Sequence, residues 1–184
     1  MDKKLLLSNR MIRLLLFIGL FLFIVFQRII ELQIAKRNER LLKARGGIEY
    51  GQTHYKYIVI LHVLFLMAFF IESIVKRVQL ASWWWLALFI FVMAQVMRFW
   101  IIYSLGLYWN TKIIVLPNAD VVRKGPYRFL RHPNYVIVAI ELVSLPLVFQ
   151  AYVTAAIFSI ANLFLLMQVR IPAEEAALRE QTDY

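Results

Sequence analysis

The chain has 184 residues, of which 62% are hydrophobic, with a mean hydropathy of +0.68 and a formal net charge of +10. Soluble domains carry roughly 45–50% apolar residues, so this composition excludes an ordinary soluble fold and reads as an all-α integral membrane protein forming one domain, 1–184. Cysteine is absent, which excludes disulfides, a thiolate nucleophile and any Cys-based metal site.

Five apolar runs follow in chain order, several of them near the ~20 residues that a helix needs to cross a bilayer. The first covers about 12–30. Basic residues precede it, as they would in a signal peptide, but no small-residue cleavage site follows and the run continues into Arg28 and Glu31. It therefore reads as a retained helix. From Arg28 to Arg40 the charges recur at i, i+3 and i+4, which predicts a helical continuation solvated near the headgroups. The second run, about 57–75, contains His62 and Glu72. The third, about 83–107, opens on Trp83-Trp84-Trp85, a cluster suited to the headgroup level, and contains Gln95 and Arg98. The fourth, about 136–149, holds Glu141 and Pro146, and the fifth covers about 151–169. Only Gln150 separates these last two, yet a single helix through both would extend about 51 Å. A tight hairpin at 149–151 resolves the excess, with Pro146 helping the chain to turn.

Basic residues orient the array. With five spans, fourteen Lys and Arg fall on the side holding the first loop, the third loop and the C-terminal tail, against six on the other. The positive-inside rule predicts a multi-pass protein of the cell membrane with that first side cytoplasmic. The same rule, with attraction to anionic lipid headgroups, accounts for the net charge, and no nucleic-acid motif is present.

Charged groups at membrane depth are functional candidates. Arg98 and Glu141 either form an ion pair that joins helices or line a pocket open to a charged ligand, and the sequence leaves both readings open. His62 reads as a packed, hydrogen-bonded residue. His54, His62 and His132 share no metal-ligand spacing, so no metal site is expected.

The most unusual stretch is GPYRFLRHPNY, residues 125–135. Gly125-Pro126-Tyr127 predicts a turn, and the residue before Pro133 avoids helical backbone angles. Pro133 suits the first turn of the fourth helix, whose amide terminus favours anions. Beyond the fifth span come Arg170 and a polar helix bearing Glu174 and Glu175.

The elements Gly-Pro-Tyr and Arg-His-Pro-x-Tyr, then Glu141, then Arg170-Ile-Pro-Ala-Glu174-Glu175-Ala-Ala-Leu178, resemble the isoprenylcysteine carboxyl methyltransferase family over about residues 104–184. The stretch ELQIAKRNERLLKARGGIEYGQTHY is similar to the bacterial alkylpyrone O-methyltransferase subfamily. The resemblance implies a membrane enzyme dependent on S-adenosylmethionine (SAM). It implies cofactor contacts by Tyr127, Arg131, His132, Pro133, Tyr135, Glu174 and Glu175, with Arg170 near the acceptor's anionic oxygen. Glu141 would contact the cofactor or orient Arg98, completing a catalytic set of Arg170, Glu141 and Arg98. The implied acceptor is the acidic 4-hydroxyl of a long-chain alkylpyrone, reached from the membrane lipid, with a pathway link to a type III polyketide synthase. Carboxyl methylation of a prenylated cysteine, N-methylation of a lipid amine, and a non-enzymatic scaffold or transporter subunit stand as alternatives.

Overall fold

The computed structural model describes residues 3–183, with side chains from Arg10 onward. The ends of the 1–184 domain reading, and the side chains of Lys3 and Lys4 counted for orientation, lie outside the described residues.

Helix α1 runs unbroken from Lys3 to Ala44, so the helical continuation expected beyond the apolar run at 12–30 is present and passes Arg40. After Gly19 the helix meets no Gly or Pro, so nothing in the sequence stops it before Gly46. There the backbone turns left-handed, with φ 90°, and Gly47 N–H donates to Leu42 O at 2.8 Å. Its C-terminal half is not the solvated surface that charge spacing predicts: Gln27, Glu31 and Asn38 are all buried.

Helices α2 (Gln52–Val75) and α3 (Trp84–Leu105) follow, then α4 (Pro133–Val148), α5 (Tyr152–Leu165) and α6 (Ile171–Gln181). Among the described residues, four helical stretches are long and apolar enough to cross a membrane, and α4 is shorter. The fourth helix starts three residues earlier than the apolar run because Pro133 takes its first position. The fifth does not end at 169. A five-residue π turn, Leu166–Arg170, carries α5 directly into α6.

The predicted hairpin is present. Gln150 takes φ 57° between α4 and α5, and its side chain donates to Leu80 O at 2.8 Å. Glu72, near the end of α2, accepts from Thr154 N at 2.7 Å and Val153 N at 3.2 Å, so it satisfies amides at the start of α5. Phe17, Phe69 and Phe149 pack here, with ring centroids 5.1 Å (Phe17–Phe149) and 5.5 Å (Phe17–Phe69) apart. In lipid such packing replaces water exclusion as the force that joins helices.

The other end carries a feature absent from the sequence reading. Strands β1 (Ile48–Tyr50) and β2 (Ile113–Val115) pair antiparallel, with Glu49 opposite Ile114. Three residues are too few for alternation to register, which is why the ribbon escapes pattern reading. Ile113 and Val115 pack with Ala177 of α6 in a buried cluster. The loop before β2 is fastened to α1: Asn38 donates to Trp109 O at 2.7 Å, and Lys112 Nζ reaches Glu39 at 2.8 Å and Glu49 at 3.2 Å.

Candidate functional site

The loop motif is set against α3 by its glycine. Gly125 has φ 58°, and a Cβ there would collide with Ser104 Oγ and lie 3.2 Å from Trp100 Nε1. The turn Gly125–Arg128 leads to His132, which precedes α4 at φ −126° and ψ 59°, outside the helical region as the following proline requires. His132 Nε2 donates to Glu175 Oε1 at 3.1 Å, and its ring stacks on Tyr135 with centroids 5.6 Å apart.

From the tail side, Arg170 is 5% exposed. Its Nε donates to Tyr135 Oη at 3.0 Å and its Nη2 to Thr111 O at 2.9 Å, while Tyr135 Oη donates to Glu174. Loop, fourth helix and tail are thus joined through one guanidinium.

A periodicity explains how the tail reaches this place. Asn162, Leu166, Arg170, Glu174, Leu178 and Thr182 lie four apart, and all line one cavity of about 380 Å³. At ~100° per residue, each four-residue step in a regular α-helix drifts about 40°, so the stripe would rotate by roughly 200° over its length. The π turn at Leu166–Arg170 accommodates one extra residue and takes back about 100°. The drift is thereby halved, and all six residues line the cavity.

The cavity continues from this mouth down to Arg28, His62 and Arg98. Arg98 is bound on all three nitrogens: Nε to Glu141 Oε1 at 2.6 Å, Nη2 to Glu141 Oε2 at 2.5 Å, Nη1 to Glu31 at 3.5 Å. Arg28 bridges the same carboxylates at 2.6 Å (Glu31) and 2.5 Å (Glu141), while Gln27 and Gln95 close the network. Arg98 and Glu141 thus form the ion pair, in a cluster with α1 that also floors the cavity. Glu141 itself lines only a small pocket of about 40 Å³ behind it.

Among the sequence-predicted residues, the structure brings together Arg170, Tyr135, Glu174, Tyr127 and His132 at the cavity, with Arg131 exposed beside them. Pro133 is buried and starts α4, and Glu175 holds His132 and Arg179; neither lines the cavity. Burial, and then Glu174, push the Tyr127 phenol far above its ordinary range, so it stays protonated and can donate. Among the described residues no group of three His, Asp or Glu could hold a metal ion.

Four residues that line this cavity each hold a buried polar atom with no partner among the described residues: Arg170 Nη1, Asn162 Nδ2, Trp109 Nε1 and Asn134 Oδ1. Buried polar groups are nearly always satisfied, so this concentration makes the cavity the candidate binding site. Sequence reasoning passed over Asn162, Asn134, Trp109, Thr111 and Arg28. The four-residue stripe and a lone amide in an apolar span were the signals available for Asn162.

Residues 85–180, which include every candidate residue named above from the motif and tail, match the Isoprenylcysteine carboxyl methyltransferase (ICMT) family. The chain belongs to the ICMT family. Its relatives include the uncharacterized protein YpbQ of Bacillus subtilis (strain 168), 44% identical over 157 residues, or 85% of this chain and 93% of the relative. An uncharacterized protein of Haemophilus influenzae is 36% identical over 166 residues, covering 89% of this chain and 96% of its own. No solved structure matches the chain. As an ICMT-family protein with several membrane-spanning helices, it is a membrane methyltransferase. Arg28, Glu31 and His62 lie outside the segment matched to the ICMT family, in the half that floors the cavity.

Proposed function

We propose that the protein moves the methyl group of SAM to an ionised oxygen on a lipophilic acceptor, the 4-hydroxyl of a long-chain alkyl-2-pyrone. The observation that carries this reading is Arg170: a guanidinium 5% exposed, with Nη1 unpartnered, at a largely apolar cavity within a membrane bundle. A buried cation with an unused donor calls for an oxygen anion.

The residues at the mouth fit SAM. Glu174 offers a carboxylate to an ammonium or to ribose hydroxyls, Tyr127 offers a donor, His132 offers a ring edge, and Asn134 Oδ1 is an unused acceptor. When bound, SAM supplies a methyl already activated by its positive sulfur. The protein's part is alignment, which contributes about 7–11 kcal/mol in favourable cases. Arg170 holds the acceptor oxygen, Tyr135 and Thr111 fix Arg170, and the membrane bundle keeps water from the reacting pair. An acidic oxygen arrives ionised, so no strong general base is needed. A lipid amine would need one, and Glu141, held by two arginines, is poorly suited to that task.

The alkylpyrone acceptor, and a type III polyketide synthase supplying it, rest on the similarity of the ELQIAKRNERLLKARGGIEYGQTHY segment. Carboxyl methylation of a prenylated cysteine is the second reading, favoured by the family's name. We place the motif loop and tail in the cytoplasm on the basic-residue count, and treat 1–184 as one domain.

The test uses purified protein in lipid nanodiscs, methyl-labelled SAM and 6-pentadecyl-4-hydroxy-2-pyrone. Label should enter the pyrone oxygen, and Arg170→Ala and His132→Ala should each slow transfer by about 100-fold or more while leaving membrane insertion intact. Wild-type turnover in both variants would sink the assignment.

A further inference from the structure

The floor of the cavity carries polar groups that neither the loop motif nor the tail supplies. Asn162 precedes Arg170 by eight residues, about 12 Å along the helix axis. It is 2% exposed, lines the cavity, and its Nδ2 donor has no partner. His62 of α2 lines the same cavity, with Nδ1 2.8 Å from Ile58 O. A carbonyl only accepts, so Nδ1 carries the proton and the neutral ring presents Nε2 as an acceptor. Arg28 completes the floor, its guanidinium held between Glu31 and Glu141. Apolar Ile58, Val138 and Leu166 line the same cavity. A buried amide without a partner at membrane depth is costly, and intramembrane polar groups are retained where they bind something.

We propose that Asn162 and His62 form a second polar subsite, which binds an oxygen function of the acceptor set apart from the oxygen that is methylated. Asn162 Nδ2 donates to that oxygen, and His62 Nε2 accepts from it when it is a hydroxyl. The acceptor class is therefore a lipophilic molecule whose polar part bears two oxygen functions, rather than a lone acid on an alkyl chain. This deepens the reading of the cavity as the acceptor site and rests on it.

Two probes differing by one hydroxyl test the subsite: 5-pentadecylresorcinol and 3-pentadecylphenol. Their dissociation constants are measured by calorimetry on the full chain in phosphatidylcholine nanodiscs, without SAM, so methyl transfer does not enter the readout. The resorcinol should bind wild type about tenfold tighter, as one buried hydrogen bond allows. Asn162→Leu and His62→Leu should each bring the ratio near one, with phenol affinity kept or raised. The Tm of Asn162→Leu should hold or rise, because leucine removes an unpartnered amide. Equal affinities in wild type, binding of neither probe, or a ratio kept in both variants overturns the proposal. So does a lowered Tm in Asn162→Leu with the ratio intact, which marks a packing role. If Asn162→Leu does not fold, His62→Leu decides alone. Failure of labelled SAM to methylate the pyrone, with the binding ratio intact, overturns the proposed reaction and leaves the subsite standing.

Discussion

At the scale of single residues, Arg170 of the tail is joined to α4 and to the loop before β2 through two of its three nitrogens. Nε and Nη2 are committed to Tyr135 and Thr111, and Nη1 is left for a ligand. Lysine cannot reproduce a planar fork, so Arg170→Lys should lower methyl transfer by about 100-fold with little change in Tm. Glu141 works differently. It is 4% exposed and neutralises Arg28 and Arg98, so Glu141→Gln leaves uncompensated charge at membrane depth. The expected loss is about 3–5 kcal/mol, read as a large fall in unfolding temperature in detergent. The pairing of Arg98 and Glu141 was one of two readings that the sequence left open, because opposite charges in adjacent apolar runs can pair or face a ligand. The roles of Arg28 and Glu31 were not legible in the sequence. Their i, i+3 spacing is the same on a solvated helix and on a buried one, and only the partner helix decides.

At the scale of elements, the π turn and the ribbon clasp position the site. Inserting one alanine after Gln168, an exposed residue within the π turn, would exceed the single extra residue that the turn accommodates and rotate α6 by about 100° relative to α5. The variant should insert and fold with methyl transfer abolished; retained activity would contradict the stripe argument. The clasp predicts a pH window. For Glu49, burial pushes its carboxyl up, but the Lys43 and Lys112 ammonium groups outweigh this and hold it below its ordinary value of 4.5. Its contribution is present above that value and is lost as pH falls through the lowered one. The hydrogen bond to Glu39, with that to Glu49, raises Lys112 above its ordinary 10.5, so its contribution is present below that value and lost as pH climbs past the raised one. Tm should form a plateau between these limits, and Lys112→Met should flatten its acid edge by about 1 kcal/mol. The four-residue stripe is visible in the sequence, whereas the π turn that halves its drift has no local signal. The ribbon is equally silent, since it is defined by pairing across 65 residues rather than by pattern.

At the scale of the molecule, composition and the apolar runs sufficed for an all-α membrane bundle and for the hairpin at Gln150. The length of a single bilayer crossing forced that turn, and its left-handed backbone confirms it. The apolar run of α1 ends near residue 30, while the helix continues past Arg40 to Ala44, as its charge spacing predicts. The site is built where the two halves meet: the matched family segment supplies the motif, Arg170, Arg98 and Asn162, and α1 and α2 add Arg28 and His62 to the floor. The central claim is that this cavity brings a methyl donor and a lipid acceptor together. Its most direct test is mass spectrometry of products after incubating the purified protein with deuterated-methyl SAM and a lipid extract. The account predicts one lipophilic class carrying the label on oxygen, absent with Arg170→Ala. Label on nitrogen, or equal labelling by wild type and Arg170→Ala, would contradict it.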